Sequence, residues 1–462
     1  MSLLIPGTNS IKDTGYDVAN SLRFDSASSQ YLNESQASGN RRTFTWSSWI
    51  KRGLLSDAQI IWHCNNAGHY SMLYLKDDNT LQYYDIDGST QTVNYVTNRV
   101  FRDPSAWTHI VLRVDTTQAT EADRIRIYVN GVQETSFSAS QTPSQNTDLE
   151  MNVSGHTFRI GTYNNSGDWL DGYLAECVFC DGQSLGPTSF GEFDSDSPNI
   201  WKPVDVSGLT FGTNGFYLDF EDGSSVGKDV SGQGNNFTAQ NMDTLNRHPD
   251  TCTNNFAVMN PLIPNSNITY SRGNLRVKQD SVGNNRIALS TIAVSAGKWY
   301  VEHRITQHQD ATHTGIVAAD SAYSTSNSLA QMENAYAYKN DGNVQEYNQS
   351  NIDTGEATYT AGDIIGIALD MDNNKLYFHK DGVYLNSGDP AGNSNGYSIT
   401  SGKEYYFAKA QNYAKHTDFN FGSPTFTISS GNSDGNGFGN FEYAVPSGFL
   451  AVCTKNLGSD GG

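Results

Sequence analysis

One run in the 462-residue sequence concentrates potential ligand atoms: Asn164-Asn165-Ser166-Gly167-Asp168-Trp169-Leu170-Asp171. Amide and carboxylate oxygens are the donors that a hard cation takes, six to eight at a time. The same mixture suits a sugar, whose hydroxyls bond planar amides and carboxylates while an aromatic face covers its C–H patches. Asn164, Asn165, Asp168, Trp169 and Asp171 are therefore candidate ligand-binding residues. The run equally fits a Gly/Asn-rich hairpin loop whose Trp packs into a core, and both readings stand. Tyr336, Tyr347 and Asn348 form an analogous candidate set further along, with the neighbouring Tyr338 read as core.

Bond-breaking chemistry is harder to assemble. Hydrolysis of a glycosidic bond needs a nucleophile and a general acid on facing carboxyls. The nearest acidic strand, Leu218-Asp219-Phe220-Glu221-Asp222, puts Asp219 and Glu221 on one face but misplaces a third carboxylate. There is no G-x-S-x-G elbow and no cysteine in an activating context. The expectation is a protein that is not an enzyme. Cys177-x-x-Cys180 resembles half a zinc site without its other half. On an extended strand, a separation of three points the two thiols to opposite faces. His303 shares a strand face with Trp299, Val301 and Ile305 and reads as a core histidine. His308 and His313 fall at a hairpin tip, where imidazoles can bridge a metal or simply face water.

Strands and turns must position these groups. The 25 Tyr, 21 Phe, 7 Trp and 43 Gly, against 17% charged residues, favour pleated half-buried faces joined by tight turns. In 44–50, Phe44, Trp46, Ser48 and Ile50 alternate onto one face; in 107–115, Ile110, Leu112 and Val114 do so. Ile125, Ile127 and Val129 lead directly into Asn130-Gly131, a strong hairpin signal because a type I′ turn needs positive φ twice. A second such unit runs through Ile365, Ile367, Leu369 and Met371, then Leu376 and Phe378, to the turn Asp381-Gly382. Between them, Gly, Asn, Asp and Ser runs surround Phe190, Phe193, Trp201, Phe216, Tyr217 and Phe220. The fold class that follows is all-β, with two antiparallel β-sandwich (jelly-roll-like) domains joined by an irregular aromatic-rich connector. The expected boundaries are an arm at 1–20, a sandwich at 21–190, the connector at 191–270, a sandwich at 271–425 and a tail at 426–462. The apolar patch at 448–452 could be buried against a neighbouring copy.

A formal charge of −20 with pI about 4.7 repels phosphate backbones and anionic lipid. Nucleic acid is not an expected partner, and no apolar run has the length for membrane insertion. The first residues carry no secretory signal pattern. Five scattered cysteines give no disulfide framework, which points to synthesis in a reducing cytoplasm.

The stretches SLRFDSASSQYLN (21–33), FTWSSWIKR (44–52), RIRIYVNGV (124–132), FRIGTYN (158–164) and LDGYLAECVFCDG (170–182) resemble a laminin-G-like or concanavalin-A-like lectin domain. GKWYVEH (297–303), YAYKNDG (336–342), GDIIGIALDMDNNKLYFHKDGV (362–383), YYFAKAQ (405–411) and FNFG (419–422) resemble a SPRY domain. GTNGFYLDFED (212–222), GKDVSGQGNNFTA (227–239), NNFAVMNPL (254–262) and PSGFLAVCTKNL (446–457) are similar to segments of bacteriophage virion proteins. The first resemblance implies calcium on edge loops, here with Asp168 and Asp171 as ligands. Together they imply a virion structural or adhesion protein, a tail fibre or spike component that binds host-surface carbohydrate. The alternatives are a capsid decoration or head-fibre protein and, less favoured, a glycan depolymerase. Other virion proteins are the expected partners and a homo-oligomer, by analogy a trimer, the expected assembly. The expected location is the virion surface, reached by host lysis.

Overall fold

In a computed structural model, residues 15–55, 57–263, 267–279, 286–307, 312–323, 328–411 and 416–460 are described. They are 43% strand and 6% helix. Two compact units divide the chain between Thr253 and Asn254. Each is a β-sandwich, and most of the expected arm, 1–14, lies outside the described residues.

The N-terminal unit packs two antiparallel sheets. The first contains, in spatial order, Val132–Gln133 (β10), Ile125–Val129 (β9), Thr108–Asp115 (β8), Thr43–Arg52 (β3), Gly172–Asp181 (β13), Ser21–Phe24 (β1) and Arg247–His248 (β18), with Phe216–Leu218 (β16) also on β13. The second runs Phe137–Gln141 (β11), Thr90–Val100 (β7), Thr80–Asp87 (β6), His69–Leu75 (β5), Gln59–Asn66 (β4), Thr157–Ile160 (β12), Tyr31–Ser35 (β2) and Thr238–Gln240 (β17). Alternation explains the core: Phe44, Trp46 and Ile50 on β3 and Ile110, Leu112 and Val114 on β8 all face inward. Trp46 and Trp62 meet Phe158 at ring distances of 6.1 and 5.6 Å. Asn130 and Gly131 turn with φ of 48° and 78°, the left-handed pair that the hairpin needs.

The aromatic stretch after residue 190 is not a linker as far as Thr253. β16 pairs Leu218 with Cys177 and Phe216 with Phe179, β17 pairs with β2, and β18 with β1. Phe190, Val206, Phe211 and Tyr217 form a second apolar layer with Val111, Tyr128, Val178 and Cys180. Cys177 lies in the main core and Cys180 in that outer layer, so the thiols do face opposite ways. Gly191–Phe193 (β14) and Trp201–Pro203 (β15) form a small ribbon. Its Trp201 donates Nε1 to His109 Nδ1 at 2.9 Å. The returning chain near 250 is anchored by a fully buried ion pair, Lys51 Nζ to Asp250 Oδ2 at 2.7 Å.

In the C-terminal unit one sheet runs Ile268–Ser271 (β19), Arg276–Gln279 (β20), His416–Asn420 (β32), Lys298–Ile305 (β22), Ile364–Asp370 (β27), Lys375–Lys380 (β28) and Val383–Tyr384 (β29), with Tyr397–Ser398 (β30) on β28 and Leu450–Ala451 (β33) on β22. Facing it are Arg286–Val294 (β21), Tyr405–Gln411 (β31), His313–Ala318 (β23), Ala335–Lys339 (β24), Val344–Glu346 (β25) and Ser350–Asp353 (β26). The apolar patch read as a surface for a neighbouring copy is instead used within the unit. Phe449, Ala451 and Cys453 pack with Phe441 on Tyr300, Ala368 and Tyr377, and Leu450 and Val452 join the inter-sheet core.

Buried Glu302 holds this tail in place. Its carboxylate accepts the N–H groups of Glu442 at 2.9 Å and Tyr443 at 2.8 Å, the Asn420 amide at 3.2 Å and the Tyr300 hydroxyl at 3.0 Å. Tyr300 in turn meets His379 Nε2 at 2.7 Å, and His379 Nδ1 accepts from Gly382 N–H. The His379 ring fits only because position 366 is glycine; a Cβ there would lie 1.8 Å from Nε2. Glu302→Ala orphans two half-buried N–H groups and removes a partner of the buried Asn420 amide and Tyr300 hydroxyl, so it is expected to cost about 2–4 kcal/mol. Limited proteolysis should then cut first within 426–453; an unchanged cleavage pattern would contradict this anchoring role.

The histidines divide. His303 is fully buried, with Nδ1 on Thr314 Oγ1 and its ring 4.3 Å from that of Phe419. Its Nε2 has no partner among the described residues. His313, expected at a hairpin tip, instead begins β23, is buried, and meets Gln345 at 3.2 Å. His308 lies outside the described residues.

Candidate functional site

The second sheet of the N-terminal unit turns a row of rings and amides outward. On β5 the core residues Leu73 and Leu75 alternate with Tyr70, Met72 and Tyr74; on β6, Leu81 and Tyr83 alternate with Gln82 and Tyr84. Adjacent strands bring the outward residues together. Tyr70 and Tyr84 lie 5.9 Å apart by ring centre, and Tyr163 meets Tyr70 edge-on at 6.2 Å. Tyr74 donates to Gln82, whose amide donates to Asn94 at 2.7 Å. These four tyrosines are all half-buried, packed enough to be fixed and open enough to be touched.

The loop 163–169 borders this face. Asn164, Asn165 and Asp168 take left-handed φ of 51°, 60° and 49°, which Asn and Asp tolerate through local side-chain bonding. Tyr163 N–H closes the turn on Gly167 O at 3.0 Å. Asn164 accepts from Asn65 at 3.3 Å, and Asn165 accepts from Arg159, which also donates to Asn65. Beneath them the His63 ring packs on Tyr163, tilted by 33° with ring centres 4.7 Å apart. Burial, reinforced by Arg159, lowers its imidazole to about 3, so the ring is neutral throughout the physiological range. Trp169 is half-buried against Tyr31 at 5.8 Å, on the surface and not in the core.

The two proposed calcium ligands part company. Asp168 is exposed, with its carboxyl raised by partial burial and by Asp57. Asp171 is only 2% exposed and is engaged by the Ser26 hydroxyl at 3.2 Å and amide at 3.4 Å. Burial, with Asp25 adding to it, pushes the Asp171 carboxyl up to about 7. A carboxyl so placed is an interior hydrogen-bonding group of the sandwich. It does not belong to the outward face that Asn164, Asn165 and Trp169 share.

In the C-terminal unit the candidates separate in the same way. Tyr336 points into the core, and its hydroxyl bonds Thr400 Oγ1 at 3.1 Å and accepts Thr400 N–H at 3.0 Å. Tyr347 is 48% exposed beside left-handed, exposed Asn348. Only these last two remain available to a partner. Asp219 and Glu221 form no facing pair; the Asp219 carboxylate caps Glu221 N–H at 3.1 Å.

Sequence reasoning missed two features. The Tyr70/Tyr74/Tyr84 face was signalled by the period-2 pattern of HYSMLYL but was not read. Glu176 was unsignalled: it sits at a bulge in β13 with φ of 50°, buried, accepting from Tyr217 OH at 2.7 Å. Burial raises its carboxyl to about 8.

Comparison with known proteins places two families along the chain. Residues 25–183 match the profile of the concanavalin A-like lectin/glucanases superfamily, and residues 298–423 match the SPRY domain. Among solved structures, the SPRY domain of human HERC1 is 15% identical with TM-score 0.25, covering 31% of this chain and 87% of that one. A heptameric SAP-like pentraxin from Limulus polyphemus is 17% identical with TM-score 0.28, covering 37% and 79%. A candidate carbohydrate-binding protein from Bacteroides ovatus is 17% identical with TM-score 0.34, covering 49% of this chain and 61% of that one.

Proposed function

We propose that this chain is an adhesion component of a virion, a tail fibre or spike part, whose N-terminal sandwich binds host-surface glycan on its tyrosine face. The observation that carries the reading is the outward array of Tyr70, Tyr74, Tyr84 and Tyr163 interleaved with the amides of Asn65, Gln82, Asn94, Asn164 and Asn165. Rings cover sugar C–H patches and amides bond hydroxyls. Such an array supplies stacking and hydrogen bonds; the one imidazole beneath it stays neutral, so the reading is binding without turnover. The lectin-superfamily match over the same residues supports it, as do the virion-like segments of the sequence. Exposed Tyr347 and Asn348 of the SPRY-like unit would offer a second ligand-binding surface. Each glycan site is weak alone and is made effective by many copies on one particle.

The test is binding of the purified chain to host surface polysaccharide. Tyr70→Ala with Tyr84→Ala should weaken binding at least tenfold, on the order of 1.4 kcal/mol. Binding should also stay flat between pH 5 and 8, because His63 does not titrate there. Undiminished binding by the double variant would remove the site, and release of reducing sugar ends would make the protein a depolymerase. Labelled antibody is expected on the tail; labelled heads would make it a capsid decoration.

A further inference from the structure

At one end of the N-terminal sandwich the inward row of the tyrosine-bearing sheet changes chemistry. Along β5 it passes from Leu75 and Leu73 to Ser71 and His69; along β6, from Leu81 and Tyr83 to Asp85 and Asp87. The register pairs Ser71 with Asp85, and the next step sets His69 Nδ1 2.8 Å from Asp87 Oδ1. A third segment closes on this corner. Glu150, nearly buried, donates its N–H to Asp85 Oδ2 at 2.9 Å. Its Oε1 accepts from Arg41 at 2.8 Å, while Oε2 stands 3.8 Å from His156 Nε2.

Three features distinguish the corner from an ordinary acidic surface. His69, Asp87 and Glu150 each present a donor atom, and these atoms lie within 4.8 Å of one another. The donors come from three separate segments, the first residue of β5, the last of β6 and the 142–156 stretch, so only the tertiary fold brings them together. Charge is also unbalanced. Asp85, Asp87 and Glu150 crowd together with Arg41 as the fixed cation among their ion pairs.

We propose that His69, Asp87 and Glu150 form a divalent transition-metal site of zinc type that clamps the adjoining ends of β5 and β6 to the 142–156 segment. One imidazole nitrogen and two carboxylate oxygens match zinc, at about 2.0–2.2 Å each, and leave a fourth position to water. Calcium is less suited, since it wants six to eight oxygens. Arg41 keeps one Glu150 oxygen occupied and so presents the other, with His156 beyond it as an orienting neighbour.

The test uses the full chain freed of metal by dialysis against chelator, titrated with zinc chloride in a calorimeter at pH 7.5. One zinc per chain is expected, undisplaced by millimolar calcium. His69→Ala and Asp87→Asn should each weaken uptake tenfold or more. Both side chains are substantially exposed, 44% and 60%, so the fold should survive, as far-ultraviolet circular dichroism can verify. Absence of one-to-one uptake, uptake unchanged in both variants, or displacement by calcium would each overturn the assignment.

Discussion

Replacing Asp250 with alanine is expected to destabilise the N-terminal unit by about 3–5 kcal/mol, the range for breaking a buried ion pair from one side. The Lys51 and Asp250 side chains are 0% and 1% exposed. Trp107 Nε1 also donates to Asp250 Oδ1 at 3.1 Å, and Ser21 Oγ donates to its backbone oxygen at 2.6 Å. Burial lowers the Lys51 ammonium, and the Asp250 charge pulls it back up. Without Asp250 the desolvation penalty stands alone, and the ammonium must shed its proton or draw in water. The variant Lys51→Met with Asp250→Leu removes both charges and should recover most of the loss, because a matched apolar pair avoids that penalty. Urea titrations of the three proteins provide the measurement. A single variant within 1 kcal/mol of wild type would show that the pair contributes little.

Lys409→Met should act in the opposite direction, stabilising the C-terminal unit by about 3–5 kcal/mol at neutral pH. Lys409 is 1% exposed, lies on β31 facing the inter-sheet core, and its Nζ has no partner among the described residues. Burial lowers its ammonium from 10.5 to about 7. Between those values the unfolded chain holds a proton that the folded chain does not. The cost is therefore complete below pH 7, fades as pH rises, and is gone above about 10.5. Wild-type stability should climb from pH 7 to 10 relative to the variant, so the two curves converge at the alkaline end. Parallel curves would show that Lys409 keeps its charge when folded.

Much of the fold could be read from alternation. The strands around Trp46, Leu112, Ile127 and Leu369 follow period 2, and both hairpin turns have the left-handed pairs expected, Asn130-Gly131 and Asp381-Gly382. The aromatic stretch around Phe216 resisted because β16, β17 and β18 are only two or three residues long, too short to show any period. Their place is set by register against β13, β2 and β1, which is tertiary information. The candidate site was half legible. The donors at 164–169 could be seen as chemistry, but chemistry does not reveal exposure: Asp171 and Tyr336 carry the right groups and are buried. Tyr70, Tyr74 and Tyr84 went unread because rings on an outward row look like rings on an inward one until the opposite row is known to be Leu73, Leu75 and Leu81.

The order in which strands are laid down has a bearing on synthesis. β1 is made first in its sheet and waits for β18, more than 220 residues later, to pair with it. Once Thr253 clears the ribosome, that body has every strand it needs, while the stretch up to β33 takes roughly 10–40 s more to appear at about 5–20 residues per second. The other body stays open longer: β22 gains its parallel neighbour, Leu450–Ala451, only after about 150 further residues have followed it. A nascent chain stalled before residue 440 should therefore present the Tyr300 and Tyr377 surface bare, ready for a chaperone to hold.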